Sequence, residues 1–319
     1  MPYFPPRPGR NPDGPEKKSG FPADRVRRGI VFFVCLALVS YGLIRLIGYG
    51  ADLISARRTS HDLKEVMEQT GVPEVTAVPE TDKPETAATA SVSGAPSTPA
   101  PAESLSVSSG LPVVEYPGGL KLSSKILQLR KKSEYIIGWL SMDGLDEPVA
   151  FRDNEFFLSH DAMGQRNANG AVFMDEDTNL LTRPYTILLY GHNMKSGAMF
   201  GSLHKYEDYA YLHQHRVFRF DTLYEEGQYA AFSVAVISLT PGTGRYFSLA
   251  DLLSADRQTR KRAIASLGSL SVHQVILDVN EEDQILLLIT CVGDDDERLI
   301  LAARRLRENE TKDSLTLKK

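Results

Sequence analysis

Cys291 has the strongest potential for covalent chemistry in this 319-residue chain. It is one of only two cysteines, and it ends the apolar run ILLLITC (285–291) just before the polar stretch VGDDDE. A cysteine that lies where a strand reaches the surface can act as a nucleophile and form a covalent acyl intermediate. Taken alone, position 291 fits a small buried hydrophobic residue equally well.

Two other residues have the chemical types that would assist such a nucleophile. His192 follows the apolar run YTILLY (185–190) in a Gly-His-Asn turn, which makes it a candidate acid or base. Arg298 comes seven residues after Cys291 and opens the next β-type run. A two-strand hairpin would bring its guanidinium beside Cys291, where it could hold developing negative charge. Taken alone, His192 and Arg298 could each be an ordinary surface residue, and Arg298 would then pair with the acidic run 294–297.

The sequence predicts no metal site. The acidic run 294–297 lacks the spaced oxygen ligands of a calcium loop, and His213 and His215 lack further ligands at zinc spacing. The composition is that of a globular protein, with 42% hydrophobic and 24% charged residues. A net charge of -5 argues against a nucleic-acid-binding protein, and two cysteines exclude a disulfide-rich scaffold.

The first 120 residues predict a membrane anchor and a spacer. Residues 1–28 are rich in Pro, Gly and charge and predict a disordered tail, while residues 29–50 predict a transmembrane helix. Seven Lys and Arg residues precede that helix, which places the N-terminus in the cytoplasm and the rest outside. A cleaved signal peptide is the alternative, but no small-residue cleavage site follows closely. Residues 51–120 predict a short polar helix and then an extended Pro-, Thr-, Ala- and Ser-rich stalk reaching up to ~100 Å.

Residues 121–310 have the composition of a globular domain, and residues 311–319 predict a C-terminal tail. Helical patterns cover 121–134 and 254–270. Apolar, β-branched and aromatic runs predict seven strands at 135–140, 171–175, 185–190, 216–220, 228–239, 284–291 and 298–306. The expected fold is therefore mainly β with peripheral helices, a mixed β-barrel.

The order His192, Cys291, Arg298 and the segments around these residues resemble the sortases, and class B sortases in particular. The segment YGHNMKSGAMFGSLHKY (190–206) is similar to the class B pattern YGHxMxxGxMFxxLxxY. LLITC (287–291) resembles the TLxTC strand end, with Leu287 and Ile289 as departures, and RLILAARR (298–305) resembles the arginine strand. Similar stretches are IIGWLSMDG, DNEFFLSHD, GAVFMDEDTN and the helical insert 254–270.

The resemblance implies a sortase-type mixed barrel and a membrane-anchored cysteine transpeptidase without a cofactor. Cys291 would attack a C-terminal sorting motif of a secreted protein, His192 would act as acid and base, and Arg298 would stabilise the oxyanion or position the motif. An amine of the peptidoglycan cross-bridge or its lipid-linked precursor would resolve the thioester. Thr290, Tyr246 and Phe247 are candidate substrate contacts, with core packing as the alternative for the two aromatic residues.

Three other functions remain open from the sequence. A pilin-polymerising sortase would use the same residues on another acceptor. In a papain-like cell-wall hydrolase the cysteine normally precedes the histidine and begins a helix, which is the reverse of the order here. A non-enzymatic, membrane-tethered binding module would leave the three reactive residues without a role.

Overall fold

The computed structural model describes residues 23–69, 113–114, 119–275, 277–291 and 296–315. The chain divides into two compact units, Met1–Ala51 and Asp52–Lys319. Most of the predicted tail (1–28) and of the predicted stalk lies outside the described residues.

The first helix, α1, runs without interruption over Ala23–Gln69 and so enters both units. Within it, Val34–Glu68 is long and apolar enough to cross a membrane by length and composition. The sequence predicted a tail up to residue 28, a membrane helix over 29–50 and a short polar helix that continues from it, and the structure has one continuous helix that begins earlier, at Ala23. The polar stretch ARRTSHDLKEVMEQ lacks Pro and Gly, so nothing in it ends the helix.

The second unit is built around a closed eight-stranded barrel in the order β10-β8-β7-β2-β3-β4-β6-β9, which confirms the predicted fold class. Two of its neighbour pairs, β3 with β4 and β6 with β9, are parallel, and the rest are antiparallel. Its strands are β2 (Ile136–Met142), β3 (Leu145–Ala150), β4 (Val172–Met174), β6 (Thr186–Tyr190), β7 (Val217–Thr222), β8 (Gln228–Ser238), β9 (Ile285–Cys291) and β10 (Glu297–Arg305). A separate two-stranded ribbon joins β1 (Val113–Val114) to β5 (Arg183–Pro184).

Short helices surround the barrel. They are α2 (Ser124–Arg130), α3 (Tyr209–His215), α4 (Leu249–Leu252), α5 (Arg257–Leu270) and the 3-10 segments Phe156–Leu158, Phe200–Glu207 and Lys312–Ser314. The Asp256 side chain caps α5 by accepting from the Thr259 backbone N–H, which explains why the helix predicted over 254–270 begins at Arg257.

Strand parity divides the apolar residues of β9 between two cores. Leu286 and Leu288 point into the barrel, where they join the main interior cluster. Leu287 and Ile289 point outward and pack in a second cluster that includes Ala263 and Leu267 of α5. The outer face of β9 is therefore covered by helix along the part of the strand that precedes Cys291.

Residues 52–67 of α1, here called the docked segment, pack against the barrel unit. Leu63 is only 4% exposed and belongs to a third apolar cluster, with Ile126 and Trp139 among its members. Ser60 donates a hydrogen bond to the Glu147 carboxylate, and Lys64 forms an ion pair with Asp146. This part of α1 is thus integral to the second unit.

Candidate active site

The hairpin of β9 and β10 brings Arg298 to Cys291. The two strands pair in antiparallel register from Arg304 with Ile285 to Arg298 with Cys291, which are direct Cα partners. Directly opposed residues of an antiparallel pair lie about 4.5–5.5 Å apart at Cα. The predicted adjacency of positions 291 and 298 is thus present in the backbone.

The parallel pairing of β6 with β9 brings His192 to the same end of the sheet as Cys291. The register matches Thr186 with Ile285 and continues residue by residue to Tyr190 with Ile289. One more ladder bond follows, because the Gly191 N–H donates to the Ile289 carbonyl at 3.3 Å. Continued by one residue, this register places position 192 beside position 291 on the neighbouring strand.

The three positions also share one face of the sheet. Position 291 has the parity of Leu287 and Ile289, and Arg298 has that of Ile300, all of which belong to the outer face. Tyr190 contacts the same outer cluster, and position 192 continues its parity. Positions 192, 291 and 298 therefore lie side by side at the strand ends. The part of the sheet that α5 covers precedes position 291 along β9.

The His192 ring is held by the loop that precedes β4. Its Nε2 lies 2.7 Å from the Leu158 carbonyl oxygen. A carbonyl only accepts, so Nε2 carries a proton and donates it, and Nδ1 is the ring atom left for proton exchange. Gly170 lies against the ring, since a Cβ there would come within 3.0 Å of His192 Cδ2 and 2.3 Å of the Phe157 carbonyl oxygen.

The turn after His192 is fixed by its own backbone. The His192 carbonyl accepts from the Met194 N–H at 3.1 Å and from the Phe200 N–H at 3.0 Å. Gly191 has no room for a side chain, because a Cβ would come within 2.9 Å of the Phe200 ring. The YGHNM and MFG parts of the segment 190–206 therefore build one rigid turn around His192.

Arg298 is half-buried, and its Nη1 donates to the Glu297 carbonyl at 3.0 Å. Its charge acts on Tyr190, whose hydroxyl donates to Asp175 Oδ2 at 3.1 Å. Burial raises the Tyr190 pKa, the Asp175 carboxylate raises it further, and Arg298 opposes this rise. Tyr190 thus lies in the electrostatic environment of the site.

Tyr190 and Asp175 are neighbours of the site that the sequence reasoning missed. Asn154 Nδ2 also donates to Asp175 Oδ2, at 3.2 Å, so this carboxylate joins two loops to the end of β6. One signal was available: Tyr190 is a polar-tipped aromatic residue two positions before His192, hence on the same face. Asp175 carried no comparable signal, because the turn DEDTN reads as ordinary surface.

The three predicted substrate contacts occupy different environments. Thr290 is 2% exposed, and its parity turns it into the barrel, away from the outer face. Phe247 is 4% exposed and packs in the outer cluster, as its alternative interpretation had it. Tyr246 is 42% exposed and remains the accessible member of the set. Direct contact with substrate stays a prediction for all three, and burial disfavours Thr290 and Phe247.

A pocket of about 190 Å³ lies between the turn that follows β4 and the short helix α4. Its lining includes Asp175, Thr178, Tyr185, Thr186 and Leu252. Asp175 therefore touches both this pocket and Tyr190, which connects the pocket to the end of β6. Across the described ranges, no group of three or more His, Cys, Asp or Glu could hold a metal ion.

Comparisons with known proteins agree with this architecture. Residues 151–306 match the family model described as the Sortase domain. Sortase B of Listeria monocytogenes is 27% identical over 175 residues, covering 54% of this chain and 68% of the relative. Sortase B of Staphylococcus aureus is 24% identical over 185 residues, covering 56% and 73%.

Solved structures give the same likeness. Sortase B from Bacillus anthracis in complex with AAEK2 superposes with a TM-score of 0.52 at 26% identity, covering 62% of this chain and 90% of that one. A Staphylococcus aureus sortase B–substrate complex gives a TM-score of 0.52 at 22% identity, covering 59% and 87%, which is a likeness of fold.

Proposed function

This chain belongs to the sortase family, with class B sortases as its relatives, and from that premise we propose that it anchors secreted proteins to the cell surface through Cys291. The Cys291 thiolate would attack the backbone carbonyl of a C-terminal sorting motif and form a thioester while the leaving amine departs. An amine nucleophile would then attack the thioester, form the new amide and release the thiolate.

His192 would carry the proton between the two halves of the reaction. As imidazolium it gives a proton to the leaving amine, and as neutral imidazole it accepts one from the incoming amine. Nδ1 is the atom assigned to both transfers, because Nε2 is committed to the Leu158 carbonyl at 2.7 Å. That bond fixes the tautomer and the orientation of the ring.

Arg298 would stabilise the negative charge on the carbonyl oxygen during each attack, or position the motif. Its Cα pairing with Cys291 supports this assignment, since a guanidinium on the adjacent strand can reach an acyl group on position 291. No cofactor enters this scheme.

The strand register is the observation that carries the proposal. Three residue types suited to acyl transfer, 99 and seven positions apart in sequence, fall on one row when the pairing of β6 with β9, which ends at Tyr190 and Ile289, is continued two residues past β6. The two departures from the TLxTC pattern do not disturb this row, because Leu287 and Ile289 are at most 2% exposed and pack in the outer cluster.

The finer assignments are also proposals. The acyl donor would be a secreted protein with a C-terminal sorting signal, and the acceptor an amine of the peptidoglycan cross-bridge or its lipid-linked precursor. The apolar part of α1 would anchor the chain, with the N-terminus in the cytoplasm, because seven Lys and Arg residues precede residue 29.

Incubation of the full chain in detergent with a sorting-peptide library and triglycine tests the proposal. Mass spectrometry should find peptides cleaved and joined to triglycine as amides. Cys291→Ala should abolish the product, whereas Cys35→Ala, which removes the only other cysteine, should leave it unchanged. Only free acid from the wild type would indicate a hydrolase, and product from Cys291→Ala would refute the nucleophile.

A further inference from the structure

We propose that the docked segment, residues 52–67 of α1, is a positioning element of the active site that orients His192 through the loop between Phe156 and Gly170. The roles assigned to His192 rest on the proposed function, but the physical linkage between helix and ring does not. The chain of contacts has three steps, all within the second unit.

The first step joins the helix to the loop through Asn167. Asn167 Nδ2 donates to the Asp52 carbonyl and to Ser55 Oγ, each at 3.2 Å. The Ala168 backbone N–H donates to Asp52 Oδ2 at 3.3 Å. Asn167 is only 2% exposed, so its amide depends on the helix for partners in place of water.

The second step runs inside the loop, from Asn167 in both directions. Its backbone N–H donates to the Ser159 carbonyl at 2.9 Å, and its carbonyl accepts from the Gly170 N–H at 3.0 Å. Its side-chain Oδ1 accepts from the Asn169 N–H at 2.9 Å. One residue thus ties the two ends of the loop to the helix.

The third step reaches the imidazole. Leu158, next to Ser159, provides the carbonyl that accepts from His192 Nε2 at 2.7 Å. Gly170 supplies the surface against which the ring rests, with room for hydrogen only. Leu158 is the sequence neighbour of Ser159, whose carbonyl accepts a hydrogen bond from Asn167, and Gly170 donates its own N–H to the Asn167 carbonyl. Both groups that orient His192 are therefore connected to Asn167.

Apolar packing strengthens the same connection. Leu63 is buried in the third cluster, and the half-buried Val66 and Met67 pack against it. From the loop, Phe157 and Ala162 belong to that cluster, and Phe157 is fully buried. Removal of the helix would expose the base of the loop that holds His192 as well as cutting its hydrogen bonds.

The docked segment has a second attachment that supplies a control. Lys64 pairs with Asp146 on β3, and it lies twelve positions further along α1 than Asp52. Lys64→Ala should weaken docking in general, whereas Asn167→Ala should release the loop specifically. Asp62, which is 80% exposed at its side chain, gives a matched control for Asp52 on the same helix.

The experiment compares Asp52→Ala, Asn167→Ala, Lys64→Ala and Asp62→Ala in the full chain in detergent micelles. We expect Asn167→Ala to lower kcat by roughly ten- to a hundredfold with KM nearly constant, because a small displacement of a catalytic group has effects of that size. Asp52→Ala should have a smaller effect in the same direction, and Asp62→Ala none. Lys64→Ala should lower Tm while keeping kcat within about twofold.

The direct readout is the ¹⁵N signal of the His192 imidazole, which reports the Nε2–H bond independently of activity. It should shift in Asn167→Ala and Asp52→Ala and stay in place in Asp62→Ala. An unchanged signal in Asn167→Ala, or an equal loss of kcat in Asp62→Ala, overturns the positioning role. A shifted signal in a protein whose wild type makes no amide product would uphold the positioning role and refute the proposed function.

Discussion

Replacing Glu147 with glutamine should stabilise the protein above pH 7 and change little at pH 4.5. Glu147 lies under the docked segment, where its carboxylate accepts a hydrogen bond from Ser60. Burial is the main cause that raises its pKa, from 4.5 to about 7, and the neighbouring Asp146 charge adds to this, while the Ser60 bond opposes it.

The sign and size follow from linkage. The folded state keeps its proton up to about pH 7, whereas the unfolded chain loses it near 4.5, so stability falls as the pH rises between these values. A difference of about 2.5 pKa units corresponds to about 3 kcal/mol, fully expressed above pH 7 and absent below pH 4.5. Glutamine retains the shape and the acceptor oxygen but never ionises.

Urea unfolding of the full chain in detergent at half-unit steps from pH 5 to pH 8 measures the effect. The free energy of unfolding of Glu147→Gln minus that of the wild type should rise by about 2–3 kcal/mol across this range and then level off. Glu155→Gln, at an exposed glutamate, is the control and should give a flat difference. Parallel wild-type and Glu147→Gln curves would refute the raised pKa of the docked Glu147 carboxylate.

Three further perturbations test the site itself. Gly170→Ala should lower the free energy of unfolding by about 1–2 kcal/mol because of its φ of 61°, and should lower transpeptidation by roughly tenfold or more because the new Cβ meets the His192 ring. Gly197→Ala, at φ 76° with open space around it, should show only the backbone effect on stability. Arg298→Lys should lower kcat by roughly ten- to a thousandfold in the peptide–triglycine assay, while Arg245→Lys at an exposed arginine should not; equal rates would exclude a guanidinium-specific role. Tyr190→Phe should cost about 1 kcal/mol of unfolding free energy by leaving Asp175 without one donor, and an unchanged urea midpoint would contradict that bond.

Much of this architecture could be read from the sequence because local patterns carry it. Seven of the eight barrel strands coincide with β-type runs, and the missed strand, β3, has the sequence LDEPVA, whose two acids and proline disfavour a strand. Tertiary pairing with β2 and burial of Val149 and Ala150 override that preference.

Local sequence patterns likewise predicted one part of the candidate site and not the other. The adjacency of Cys291 and Arg298 follows from a short hairpin, and that of His192 from the end of a core strand. Parity separates Thr290 from Cys291, because neighbours on a strand face opposite sides, and this information was already present in the sequence. Leu63, Val66 and Met67 have helical spacing in the sequence. The surface they cover is assembled from residues as far along as Leu223, 160 positions after Leu63, and could not be predicted from local patterns.

The stretch 70–112 connects two parts of one compact unit along the sequence. Its neighbours on both sides, the docked segment and the ribbon strand β1, belong to the same compact unit. The docked segment and β1 are therefore expected to stay together when the chain between them is cut. A protease site introduced near residue 90 should therefore yield two fragments that copurify as an active, nicked enzyme.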